Sequence, residues 1–178
     1  MSVPNPQAPV PILIIEDDRD AIVLIRRLLT KAGIDGPISS VRDGEAAITL
    51  LQSLAAGTAG VGVDRPRLMF LDLHMPRVNG FGVLKWIQES NAFPDCAVVV
   101  MSTSDLASDI EKAYRLGACA YLTKYPEVQH LARIYEEAAQ HAEGFLARVH
   151  ALPFVQRRPM DSWITPEMAP GDASGNPR

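Results

Sequence analysis

Three apolar runs in the chain end in charged residues. Ile12-Leu13-Ile14-Ile15 leads into Glu16-Asp17-Asp18, Leu68-Met69-Phe70-Leu71 into Asp72, and Ala120-Tyr121-Leu122-Thr123 into Lys124. Carboxylates brought close together repel and hold one another partly protonated. A bound Mg2+ (or Mn2+) resolves that conflict, since such ions take oxygen ligands from one or two carboxylates, waters and phosphate oxygens. Two protein carboxylates and a backbone carbonyl would suffice. Asp72 is the candidate nucleophile, because a carboxylate can attack phosphorus and form an acyl phosphate. For such a transfer the protein supplies positioning and charge neutralisation. Lys124 offers a point charge on a flexible stem. Ser102 or Thr103, after the run from Cys96 to Met101, offers a hydroxyl to a phosphoryl oxygen.

Each of these residues has an ordinary explanation when taken alone. Glu16-Asp17-Asp18 reads as a solvated loop that caps the next helix, where acids are favourable. Lys124 reads as a surface lysine, Ser102 and Thr103 as cap or loop residues, His74 as an exposed loop histidine. Met75-Pro76 with Asn79-Gly80 reads as a turn. The chemical reading rests on their joint placement at the ends of strands.

Those strands alternate with helical patterns. Strands are expected near 11–16, 38–42, 67–72, 96–101 and 119–123, each a short and mostly apolar run. Between and after them, helices are expected near 18–32, 43–55, 81–90, from Ser104 or Asp105 onward, and 127–149. Their inward faces carry Ile22, Ile25, Leu28 and Leu29; Ala46, Ala47, Leu50, Leu51 and Leu54; Val83, Leu84 and Ile87; Leu106, Ile110, Ala113 and Leu116. Gly33 ends the first helix, and Ser104 or Asp105 caps the fourth. Five strands alternating with five helices imply an α/β fold with a parallel sheet covered on both faces and right-handed crossovers. In such a sheet ligands bind at the carboxyl ends of the strands.

The last helix, read as continuous over about 33 Å, outruns a small sheet. Val128, Leu131, Tyr135, Ala138, Ala142, Phe145 and Val149 repeat at 3-4 spacing, and the second half of that stripe has no obvious partner in the same chain. Residues 1–9 read as a flexible N-terminus, 10–148 as the domain, and 149–178 as an arm whose last ten residues read as disordered. Phe154, Met160, Trp163, Ile164 and Met168 are scattered through the arm. The stripe and arm suggest a homodimer in which one chain's arm packs on the other; the competing reading folds the helix end back on its own domain.

Bulk properties narrow the class. A chain of 178 residues with 47% hydrophobic residues suits one domain. A net charge of −4 and a pI near 5.5 give no basic face for nucleic acid. No apolar run is long enough for a membrane span. The Pro-rich start has no signal-peptide core. Cys96 and Cys119 are too few for a disulfide framework and read as buried free thiols, which points to a cytoplasmic setting. The dinucleotide fingerprint, the P-loop, zinc spacings and the nucleophile elbow are all missing.

Over roughly residues 10–148 the pattern resembles the receiver domain of two-component response regulators. The matching segments are Ile14-Ile15-Glu16-Asp17-Asp18, Leu71 to Gly80, Val100-Met101-Ser102-Thr103-Ser104 and Gly117 to Lys124. The resemblance implies a flavodoxin-like, doubly wound sheet with strand order 2-1-3-4-5. It further implies Asp72 as phosphoacceptor, Glu16 and Asp17 as the acidic pair with Asp17 a direct Mg2+ ligand, and the main-chain carbonyl of His74 as a third protein ligand. Ser102 would be the switch hydroxyl, Lys124 the phosphate-binding lysine and Tyr121 the aromatic switch; Asp18 is left as an extra acid. Many receivers place Pro directly after the lysine, often in cis, whereas here Tyr125 precedes Pro126. The Gly-rich loop before the third strand, the Met-Ser-Thr-Ser-Asp run and the lack of an output domain look like single-domain regulators paired with bacterial phytochromes.

The expected function is therefore a phosphoacceptor without catalytic turnover, served by a histidine kinase, with no nucleic-acid or membrane partner. Two other readings compete. A small aspartyl-phosphate phosphatase shares the Asp, Lys and Mg2+, but usually carries a second acid two residues after the nucleophile, where His74 stands. A receiver-like interaction module would leave the site unused.

Overall fold

The structure is a computed structural model, and it describes residues 9–60, 62–139 and 145–156. Five strands, β1 (Ile12–Ile15), β2 (Ile38–Val41), β3 (Leu68–Leu71), β4 (Ala97–Ser102) and β5 (Ala120–Thr123), form one parallel sheet in the order β2-β1-β3-β4-β5. Helices α1 (Arg19–Lys31), α2 (Gly44–Ala55), α3 (Gly80–Ser90), α4 (Ala107–Arg115) and α5 (Val128–Ala139) connect and cover the strands, and α6 (Phe145–His150) follows. The central strands β1, β3 and β4 are buried at every position, which is why they read as unbroken apolar runs.

Local chemistry fixes where the helices start. Asp18, Asp43 and Asn79 cap α1, α2 and α3, their side chains accepting from the amides of Asp20, Ala46 and Gly82. Asp18 is thus a capping residue as well as the third acid of its run. α1 ends as expected at Gly33, whose φ of +76° lets the Ile34 amide reach back to the Leu29 carbonyl. Two details differ from expectation. Ala46 is exposed, because the buried stripe of α2 runs through Gly44, Ala47 and Leu51. Neither Ser104 nor Asp105 caps α4; its N-cap is Leu106, 60% exposed and without a side-chain bond. The Ser104 hydroxyl accepts instead from the Leu106 amide and donates to Asp109.

The continuous last helix is overturned. α5 ends at Ala139 and α6 begins at Phe145. Arg148 Nε lies 2.6 Å from Glu137 Oε2, whereas eleven residues of straight helix would span about 16 Å. The chain therefore turns back, and Val149 of the stripe finds its partner in its own domain. Val149, Leu152 and Val155 are 0%, 8% and 3% exposed and belong to the core cluster. A 3-4 repeat shows which face of a helix is apolar, not that the helix continues. The expectations for residues 1–8, Ala142, Met160, Trp163, Ile164, Met168 and the final ten residues fall outside the described residues. Among the described residues no helix is long and apolar enough to cross a membrane.

Candidate functional site

Sheet register brings the charged strand ends together. Ile15 pairs with Leu71 and Leu71 with Val100, so Glu16, Asp72 and Met101 stand level. Ser102 pairs with Thr123, so Ser102 lies one residue further out and Lys124 two. Two residues of strand are about 6.6 Å, a span that the four-carbon stem of lysine can cover in folding back over the site. The backbone ties this edge down: the Asp72 amide donates to the Ile15 carbonyl at 2.9 Å, and the Lys124 amide to the Ser102 carbonyl at 2.9 Å.

Lys124 Nζ sits 2.7 Å from Glu16 Oε2 and 3.2 Å from Asp72 Oδ2, with side-chain exposures of 8%, 3% and 6%. Oxygens of Glu16, Asp17 and Asp72 lie within 4.8 Å of one another. One ammonium thus bonds two of three clustered carboxylates, and negative charge remains in excess. Three hard oxygen donors with surplus negative charge suit a divalent metal. Burial raises the Glu16 pKa, and the Asp72 charge adds to it against the lowering effect of Lys124. Burial alone would lower the Lys124 pKa; the Glu16 hydrogen bond and the charges of Asp72 and Glu16 outweigh it, so the net direction is up and the ammonium is held.

A second set of groups surrounds the end of β4. Ser102 is fully buried; its hydroxyl accepts from the Ser104 amide at 3.2 Å and lies 3.3 Å from His74 Nδ1. Tyr121 is also fully buried, and its hydroxyl donates to the Ser104 carbonyl at 2.9 Å. Burial raises its pKa, so it stays a neutral donor. Thr103, the other hydroxyl considered, is exposed. The Lys124–Tyr125 peptide bond is cis, so the intervening Tyr125 does not shift that geometry to Pro126.

Sequence reasoning missed two contributors. Gly80 reads as a turn residue, yet a Cβ there would overlap the Asp72 carbonyl oxygen and crowd the Leu73 Cα; only glycine lets α3 start directly against the Asp72 backbone. The contact of His74 with Ser102 is the other: the two residues are 28 apart, and only sheet register puts them side by side.

The response regulator receiver domain model matches residues 12–136. The chain belongs to this family. Response regulator Rcp1 of Synechocystis sp. (strain ATCC 27184 / PCC 6803 / Kazusa) is 31% identical over 142 residues, 80% of this chain and 92% of that protein. The Mn2+-bound form of Rcp1 superposes with a TM-score of 0.58 at 32% identity, covering 72% of this chain and 90% of that one. The phosphorylated cyanobacterial phytochrome response regulator RcpA superposes at 0.61 with 30% identity, covering 82% and 99%. Among curated proteins, the probable methanogenesis regulatory protein FilR2 of Methanothrix harundinacea (strain 6Ac) is 34% identical over 134 residues, 75% of this chain and 84% of that protein. The receiver is thus related to phytochrome response regulators, and its flavodoxin-like fold, strand order included, is the one the resemblance implies.

Proposed function

We propose that this receiver accepts a phosphoryl group on Asp72 from a phosphohistidine of a phytochrome-type histidine kinase, in the cytoplasm, and acts as a switch. The observation that carries the reading is the pairing of Asp72 Oδ2 with Lys124 Nζ at 3.2 Å beside two further acids. The relation to Rcp1 and RcpA, the second named as a phytochrome response regulator, supports the choice of kinase class.

In this reading an Asp72 carboxylate oxygen attacks phosphorus, the P–N bond of the phosphohistidine breaks, and its electron pair stays with the departing imidazole. Glu16, Asp17, Asp72 and the His74 main-chain carbonyl would hold Mg2+, which supplies charge neutralisation at the phosphoryl oxygens. Lys124 turns from its two carboxylates towards the new phosphoryl oxygens, and Gly80 keeps the Asp72 backbone fixed. Ser102 exchanges its contacts with Ser104 and His74 for a phosphoryl oxygen. That exchange loosens the Ser104 loop that Tyr121 holds, and biases the surface of α4, β5 and α5 between two packings. The proposed role is that of a phosphoacceptor rather than a turnover enzyme: two residues after Asp72, where an aspartyl-phosphate phosphatase usually carries a second acid, stands His74.

Labelled phosphotransfer from an autophosphorylated histidine kinase tests the reading. The wild type should label in the presence of Mg2+ and Asp72→Asn should not; full-stoichiometry labelling of Asp72→Asn contradicts it. The burial of Val149, Leu152 and Val155 in their own domain removes those three from the surface that a homodimer through the last helix and arm would use.

A further inference from the structure

β5 is an edge strand, and an open edge invites pairing with other chains unless something covers it. Residues 145–156 cover it. Val149, Leu152 and Val155 enter the core, Phe154 stacks on His130 with ring centroids 3.9 Å apart, and His150 meets the Tyr114 ring edge-on at 4.9 Å. The segment ends in three polar ties, all made by Gln156. Its amide donates to the Tyr121 carbonyl at 3.0 Å, its side-chain amide donates to Thr123 Oγ1 at 2.7 Å, and its carbonyl accepts from the Tyr114 hydroxyl.

The placement of these ties is informative. Tyr121 and Thr123 lie on β5, directly before Lys124. Thr123 pairs with Ser102, and the Lys124 amide is bonded to the Ser102 carbonyl. Tyr114 comes from α4, whose start is fixed by Ser104, the residue that Tyr121 and Ser102 both hold. Gln156 therefore binds α4 and β5, two of the elements that a movement of Ser102 would shift, and Phe154 of the same segment reaches α5 at His130. Hydrogen bonds of 2.7 to 3.0 Å weaken steeply when their partners separate or tilt.

We infer that residues 145–156 form an intramolecular strap over the β5 edge, latched by Gln156, and that loading of Asp72 releases it. The inference rests on Asp72 being the phosphoacceptor. Coupling of this kind is reciprocal, so opening the strap must favour loading by the same factor that loading favours opening.

Hydrogen–deuterium exchange on the full chain tests this, with phosphoramidate and Mg2+ as the loading reagents. Mass spectrometry reads in the same sample the phosphoryl adduct on the Asp72 peptide and the exchange of residues 149–156. Loaded chains should exchange there about tenfold faster, the effect of losing one or two hydrogen bonds. Gln156→Ala combined with Tyr114→Phe removes two of the three ties, the side-chain bond to Thr123 and the bond to the Gln156 carbonyl; this chain should show that faster exchange without loading, and should load at a lower phosphoramidate concentration. Val149→Asp, which opens the strap from its buried side, should behave like the double variant. Loading with unchanged exchange, or a double variant that exchanges like the wild type, overturns the inference alone. Absence of any adduct on Asp72 overturns the phosphoacceptor reading and the inference with it. A dimer mass in light scattering, with protection of 149–156 lost on dilution, overturns the intramolecular strap in favour of exchange between copies.

Discussion

At the strand ends, Lys124 is shared between Glu16 and Asp72 while Asp17 stands beside them; between α5 and α6, Arg148 meets Glu137 at 2.6 Å. Both clusters take carboxylates out of water, and both answer them with a cation. They differ in balance. The strand-end cluster carries three acids to one base, so burial and mutual repulsion leave it short of positive charge. At the helix cluster the described ion pair matches one acid, Glu137, with one base, Arg148. A buried pair of matched charges serves to hold two elements in place. A buried surplus is costly on its own, and it becomes favourable only when something positive, or a phosphoryl group with its cation, completes it.

The comparison makes predictions that separate the two clusters. The largest effect should come from Lys124→Ala. It strands Glu16 and Asp72 with no partner, and urea unfolding in metal-free buffer should show a loss of about 3 kcal/mol. A loss no larger than that of Arg148→Ala would mean that the strand-end charges are not in excess. Next comes Mg2+ itself. At ten times its dissociation constant it should stabilise the wild type by about 1.4 kcal/mol. Asp17→Asn should lose that response and Arg148→Ala should keep it; an equal response in both variants would place the ion elsewhere. The smallest effect is Arg148→Ala. The arginine side chain is 38% exposed, so solvent screening limits the loss to about 1 kcal/mol, read by the same unfolding experiment.

The two regions also differ in how far the sequence reveals them. The strand-end residues are legible because each one terminates a short apolar run, and a parallel sheet turns that pattern into proximity. Glu16, Asp72 and Lys124 can be placed together from Ile12 to Ile15, Leu68 to Leu71 and Ala120 to Thr123 alone. Glu137 and Arg148 are not legible. Eleven residues apart on an unbroken 3-4 repeat, they read as distant points of one helix. The contrary signal is Gly144, since glycine in a helix interior costs about 1 kcal/mol relative to alanine. The need for glycine at position 80 was hidden for a different reason. It depends on how closely α3 approaches the Asp72 carbonyl, a packing distance that no local pattern encodes. The capping of α1, by contrast, is legible in the acidic run that ends at Asp18, whose side chain accepts from the Asp20 amide.

The central claim is that Asp72, among the three clustered acids, takes the phosphoryl group. An acyl phosphate on aspartate is reduced by borohydride to homoserine, which marks the site permanently. After transfer from a phosphorylated histidine kinase in the presence of Mg2+, peptide mapping should find homoserine at position 72 and unmodified Glu16 and Asp17. Reduction at position 16 or 17, or no reduced residue in a chain that carries the label, would contradict the account.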